Sequence, residues 1–537
     1  MKTINQNIYR VALVPLLGVF FILGALTSCD LTRRPTSVLP LEESLETYDD
    51  AVAFNRGIMA QFRNRYGGSF STPQEYMADY LNASANLGNV AGQLHGWKEL
   101  TPSYGTFSSV YYMYYSTMKN LNYTVEQYQV VQNRIKEALA KTTNEAEKAK
   151  RQEEIDDLSL FIGTSYFARA YYYYNLMLRY GMPYNAATAK TDLGVPLVLE
   201  FDVSDRIKRT PVQEVYDQIF KDLEAAEKEL VVNKPMASNS EFTTDAVDAL
   251  RARIYLDMKE YDKAYEYAMK VINTKRYPLA PATHQAFEDM WVNDKSTEFI
   301  LKLYISKESD EFPSGMGSFY GLDRDNRLFS PYYFPTQGLL DLYSESDLRK
   351  DVYFYKAPDV KVLSVEYKES VYIISKFKGN PAYATITNDP YYGIIPNGVH
   401  EPKVFRVAEQ YLIAAEAAYF SGKDALTPLN ALRVSRGLDP VKATGEALLK
   451  EIQDERTREL AFEGFRLWDL RRWNLPMNRM EPQKFDATSE VANYLTAPYY
   501  DLKIATTDPL YKKMIWPIPQ REINVYGEKN MPQNPGW

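Results

Sequence analysis

The chain has 537 residues, 62 Lys and Arg against 70 Asp and Glu for a formal charge of −8, and 45% hydrophobic residues. The acidic balance argues against a nucleic-acid binder, which would carry a basic patch, and the apolar share is enough for a sizeable core. A single cysteine excludes a disulfide framework, so packing has to supply the stability.

Read from the N-terminus, Lys2 and Arg10 precede an apolar run, Val11 to Leu26, interrupted only by Gly and Pro15. A membrane-spanning helix needs about 20 apolar residues, and this run is shorter. Residues 1–28 therefore read as an export signal that is removed. The lone cysteine follows directly in Leu26-Thr27-Ser28-Cys29, which resembles a bacterial lipobox and makes Cys29 the expected lipid-attachment site. Residues 29–45, with Arg33-Arg34-Pro35 and Pro40, read as an extended tether to a single domain over 46–537. No later segment resembles a membrane span.

Helical patterns dominate from Glu46. Ala51, Phe54, Ile58 and Phe62 step by three and four. An aromatic-rich helix is expected over Val110–Tyr128. The charged stretch Gln129–Asp157, free of Gly and Pro, is expected to run on as one helix through Leu158–Arg179, stopping at Tyr180-Gly181 before Pro183. Tyr171 to Tyr174 lie 100° apart on that helix, so at least one must face outward or into a neighbour. Thr210-Pro211 predicts an N-cap and a proline at the first helical position, opening Val212–Leu230. Thr244–Met258 with Tyr261–Asn273, and Val404–Ser421 with Leu426–Ser435, read as helix pairs. Ala249, Ala264 and Ala268 are small enough for a close crossing, as in a tetratricopeptide repeat. The expected fold is mainly α: a tetratricopeptide-like scaffold with helices over about 158–180, 212–273 and 404–435.

Residues 66–109 and 277–401 differ. They are rich in Gly, Pro, Asn, Asp and aromatics, with short β-like runs at Phe299–Tyr304 and Val371–Phe377. Irregular segments of this length inside a domain are usually functional. The chain holds 44 Tyr, 24 Phe and 6 Trp. Most of these fill helix interfaces, but an exposed ring suits sugar stacking or peptide contact. In the irregular segments Trp97 and Trp291 are the expected platforms, with Tyr66, Tyr104 and Tyr320 behind them and Asp79 and Asn82 as partners for hydroxyls.

Catalytic and metal motifs are missing. His95, His284 and His400 are the only histidines, none spaced for zinc, so neither a metal nor a cofactor is expected. There is no Walker loop and no Gly-x-Ser-x-Gly elbow. The most ordered pattern is Leu448, Ile452, Glu455, Glu459, Phe462, which places two glutamates on the apolar seam of a helix. Buried carboxylates need partners, and Arg458 and Arg466 are close in sequence, so these four residues read as a structural ion-pair network.

The segment from Glu455-Arg456-Thr457-Arg458-Glu459 through Phe465-Arg466-Leu467-Trp468-Asp469 to Trp473 resembles the C-terminal signature of the SusD/RagB family. Arg169-Ala170 to Pro183, Val404 to Glu416, Leu429 to Arg433 and the closing Gln533-Asn534-Pro535-Gly536-Trp537 are similar to other parts of that family, in the same order. The residues after Cys29, Asp30-Leu31, lack the acidic run often associated with surface export in this group. The resemblance implies a lipid-anchored outer-membrane protein facing out from the cell. It would capture a nutrient and deliver it, without chemistry, to a SusC-like TonB-dependent porin. The nutrient implied is an oligosaccharide. Alternatives are a peptide held by the same architecture and, from another class, a surface glycoside hydrolase. The family's motifs are scaffold motifs, so they assign no ligand residue.

Overall fold

A computed structural model describes residues 44–67, 72–87, 92–200, 207–305, 316–323, 328–383, 398–486, 488–495 and 501–537. The export-signal segment, Cys29 and most of the tether lie outside the described residues. No described helix is long and apolar enough to cross a membrane.

The longest stretches nearly free of Gly and Pro form the longest helices. After α1 (Tyr48–Gly67) come α2 (Gly105–Lys141) and α3 (Glu145–Tyr180), which pack side by side. The single long helix expected from Gln129 to Arg179 is in fact two. The chain turns at residues 142–144, and the Asn144 side chain accepts from the N–H groups of Ala146 and Glu147. Thr-Thr-Asn followed by Glu145 and Glu147 is an N-cap signal, outweighed in the sequence reading by the good helix formers on either side. Helix α3 becomes buried all round over its last five turns, and all four of Tyr171 to Tyr174 are inside. The Phe62 ring of α1 meets Tyr171 and Tyr172, Tyr173 Oη donates to the Val198 carbonyl, and Tyr174 Oη donates to Asp257. Gly163 allows the next helix to lie close, since a Cβ there would stand 2.7 Å from Leu230.

That next helix is α4 (Val212–Leu230), with Val215, Ile219, Leu223, Ala226 and Leu230 fully buried on one stripe. Pro211 occupies the N-cap itself, one place earlier than expected, and Thr210 Oγ1 accepts instead from the Leu197 N–H. Helices α5 (Thr244–Asp257) and α6 (Tyr261–Asn273) follow as an antiparallel pair. A second pair, α7 (Val407–Phe420) and α8 (Leu426–Ser435), stacks on the first. Ala252, Ala264, Ala268, Ala414 and Ala417 meet in one small-residue core between the pairs, the tetratricopeptide-like arrangement. Helix α7 starts three residues later than expected, because Val404-Phe405-Arg406 continue a strand.

The irregular segments are knitted by short strands. Strand β1 (Leu81–Ala83) pairs antiparallel with β5 (Tyr333–Pro335), and β2 (Phe299–Lys302) with β10 (Lys403–Arg406). Strands β3 (Leu322–Asp323), β4 (Leu328–Phe329), β7 (Val360–Val362) and β8 (Val365–Tyr367) form a four-stranded sheet in that order, with β4 and β7 parallel. Beside these, β6 (Phe354–Ala357) and β9 (Val371–Ile374) pair antiparallel, with β7 and β8 in the connection between them. The signature supplies α9 (Gly445–Glu459) and α10 (Arg466–Arg472), split by a turn in which Phe462 and Gly464 both adopt positive φ.

Candidate functional site

The glutamates on the α9 seam meet arginines from distant parts of the chain. Glu459 accepts from Arg406 at 2.7 Å, from Arg436 at 2.8 and 2.9 Å, and from Arg349 at 2.9 Å. Glu455 accepts from Arg349 and Arg458, each at 2.7 Å. Asp347 forks onto Arg349, Glu298 onto Arg436, and Glu463 joins Arg406 to Lys376. Burial alone would raise these carboxyls. Arg349 and Arg458 override it and hold Glu455 at about 2, while Arg436, Arg406 and Arg349 hold Glu459 well below the usual range. Arg466 does not join them. It forks onto Asp79 at 2.7 Å through both nitrogens, tying the loop before β1 to the start of α10.

That pairing removes Asp79, 4% exposed, from the expected set of hydroxyl partners. Asn82 is also buried, in β1 opposite Phe334, with both side-chain polar atoms unpartnered. The two expected tryptophan platforms are likewise inside. Trp97 is 2% exposed and its indole donates to the Met77 carbonyl at 3.0 Å. Trp291 is 1% exposed, with the Lys376 ammonium 4.3 Å and the Arg406 guanidinium 5.0 Å from its ring centre. Neither offers a free face. Tyr104 is half-buried edge-on to Phe107, and Tyr66 donates to the Lys403 carbonyl at 2.7 Å.

Tyr320 has a different setting. Its ring lies 5.1 Å from that of Phe329, which lies 5.5 Å from that of Tyr355. Tyr320 and Phe329 are half-buried against the core of Val360, Val362 and Val371, and Tyr355 is 42% exposed. Three rings thus run continuously from packed to open at the surface of the small sheets. Phe329 and Tyr355 were not singled out from the sequence. Phe354-Tyr355-Lys356-Ala357 is buried at its ends and exposed in its middle, and its residue types show no periodicity that marks Tyr355.

Trp291 and Tyr66 instead line a cavity of about 100 Å³ between α1, α3, α5 and residues 456–469 of the signature. Glu75 does not line it but accepts from the N–H of Gly464, which does. Burial pushes this carboxyl up to about 7, although Tyr80 Oη and the Gly464 N–H, at 2.6 Å, both donate to it.

The family model of the SusD family matches residues 318–537, and that of the family described as starch-binding, associating with outer membrane, matches residues 57–256. Two SusD-like proteins of Formosa agariphila, P38 and P2, are 25% and 26% identical to the chain. They are matched over 60% and 70% of it and over 68% and 73% of their own lengths. Among solved structures, a SusD superfamily protein of Bacteroides thetaiotaomicron superposes with a TM-score of 0.70 at 22% identity, over 91% of this chain and 100% of that one. A laminarin-binding SusD-like protein superposes with a TM-score of 0.60 at 20% identity, over 91% and 99%. Fold and matches define a tetratricopeptide-like helical protein with an inserted aromatic strand region. The chain belongs to the SusD/RagB family.

Two outcomes follow. Glu459→Ala leaves three buried guanidinium groups short of a partner, which costs about 3–5 kcal/mol when one side of a buried pair is removed. Its urea midpoint should fall accordingly, and an unchanged midpoint would show that the network does not bear on stability. Folded Glu75 keeps its proton to higher pH than the unfolded chain does. Its contribution is therefore full below the ordinary value of 4.5 and lost as pH rises through about 7. Glu75→Gln cannot titrate, so its melting temperature should decline less than that of the parent between about pH 5 and pH 8. Parallel profiles would exclude Glu75 as the titrating group.

Proposed function

We propose that this protein is a lipid-anchored, cell-surface glycan-binding protein. It captures an oligosaccharide and delivers it uncleaved to a SusC-like TonB-dependent porin. The observation that carries the reading is the open group of rings Tyr320, Phe329 and Tyr355. A pyranose ring presents a face of C–H bonds, and an exposed aromatic ring gives that face an apolar partner without desolvating the hydroxyls around it. Family membership supports the capture role, since a neighbour in fold is laminarin-binding and one matched family is named for starch binding. The outer-membrane setting has the same support from that family's name. Attachment through Cys29, outward orientation and the porin partner rest on the lipobox-like sequence and the family resemblance. Binding without cleavage accords with Glu455 and Glu459, which are held by arginines in the interior and so are not available as the carboxyl pair of a hydrolase.

Calorimetry with laminarin and other neutral oligosaccharides tests the reading. Tyr355→Ala should keep the melting temperature and lose about 1–3 kcal/mol of binding to the cognate glycan, as expected for one lost stacked ring. Full-strength binding by this variant would move the site elsewhere. Binding of peptides but of no glycan would replace the ligand class, and release of shortened sugars would make the protein a hydrolase. In cells, Cys29→Ser should shift the protein from the membrane fraction to the soluble one. Retention in the membrane without the porin would refute the anchor.

A further inference from the structure

The cavity between α1, α3, α5 and residues 456–469 has no part in the surface reading, and its walls are unlike the rest of this acidic chain. Five cationic side chains line it, those of Arg65, Arg179, Arg253, Lys403 and Arg456, against three carboxylates, Asp257, Glu463 and Asp469. All three carboxylates are engaged. Asp257 accepts from Tyr174 and lies 3.3 Å from Arg472, Glu463 holds Lys376 and Arg406, and Asp469 holds Arg456 and Arg472 at 2.8 Å each.

Two of the cations keep donors in reserve. Arg456 is 3% exposed, gives its Nε to Asp469, and has no hydrogen-bond partner for Nη1. Arg65, half-buried at the end of α1, has no partner for Nε, and its Nη1 meets the Met113 sulfur at 3.3 Å. A buried guanidinium donor without an acceptor costs free energy that a bound acceptor would recover. Arg253 and Lys403 are neutralised by Glu409 and Asp294 behind the walls, so the charge left facing the cavity is that of Arg65, which makes no ion pair among the described residues and favours an anion as the acceptor. A carboxylate offers two coplanar oxygens that suit a guanidinium fork and a single charge that suits so small a surplus. Trp468, Phe465 and Tyr171 in the same walls can take the less polar remainder of such a molecule. A volume of about 100 Å³ admits one small group and no oligosaccharide chain.

We propose that this cavity is a binding site for the carboxylate group of a small organic acid or an acidic sugar, held by Arg65 and Arg456. The site stands apart from the aromatic surface, whose three rings do not line it.

The test titrates sodium acetate, sodium glucuronate and glucose into the mature chain at constant ionic strength, following the fluorescence of Trp291 and Trp468. A carboxylate should bind and glucose should not compete. Binding of acetate and glucuronate alike assigns the site to small acids, and binding of glucuronate alone assigns it to acidic sugars. Arg456→Gln and Arg65→Gln should each weaken that binding at least tenfold. Arg456→Gln disturbs the pair with Asp469 and can fail to fold. Arg65 makes no ion pair among the described residues, so Arg65→Gln keeps the test intact. Laminarin binding, measured in parallel, should be untouched by Arg65→Gln, which separates failure of this site from failure of the surface reading. The proposal is overturned if neither acid binds, if glucose competes equally, or if a folded Arg65→Gln binds the acid as the parent does.

Discussion

The fold is organised around Glu459. One carboxylate, fully buried, receives arginines from three separate places: Arg349 from the irregular region, Arg406 from the end of β10, and Arg436 from just beyond α8. Each of those arginines reaches a further acid, Asp347, Glu463 or Glu298, and of these charges only Glu463, which borders the cavity, is not fully buried. Desolvating so many ions is expensive, and an apolar cluster of the same volume would be at least as stable. What the network supplies is register. A hydrophobic contact tolerates a slide of an ångström or two, whereas a forked guanidinium–carboxylate pair in a dry interior does not. The irregular strands are thereby held in one position on the helical repeats.

This division explains which parts of the molecule could be read from the sequence. The α4 stripe, the two alanine-lined helix pairs and the glutamates on the α9 seam are local patterns. Each is visible within about 30 residues and persists in the structure with small shifts at its ends. The partners of those glutamates are not local. Arg349 comes from the irregular region and Arg436 from the end of a helix whose pattern does not point to α9, and Arg458 is the only expected partner that reaches Glu455. Arg466 was drawn to the same glutamates by proximity in sequence, yet it pairs with Asp79, almost four hundred positions away. Long-range pairing of charges follows topology, and no spacing rule encodes it.

The candidate site was less legible, for a related reason. A tryptophan in an irregular segment looks available because nothing local buries it. Trp97 is 2% exposed and donates to the Met77 carbonyl, and Trp291 is covered from far along the chain, by cations from residues 376, 403 and 406. Among the residues singled out, only Tyr320 falls in the ring group: it closes a short 3-10 turn, Met316–Tyr320, and is half-buried against Val360, Val362 and Val371. Tyr355 lies in a four-residue strand whose two middle residues are exposed and whose ends are buried, so it shows no two-residue alternation for the sequence to reveal.

Rigid scaffold and variable surface therefore answer to different constraints. The Glu459 network cannot accept substitution at one position without stranding a charge at another, so its residue types are fixed jointly. The rings at the sheet surface have no such coupling. Tyr355 packs on Phe329 at a tilt of 57° and is 42% exposed, so replacing it changes what the surface can hold while the buried network stays satisfied. An architecture built this way can change ligand without refolding, because the interactions that specify the fold and those available for recognition share few residues.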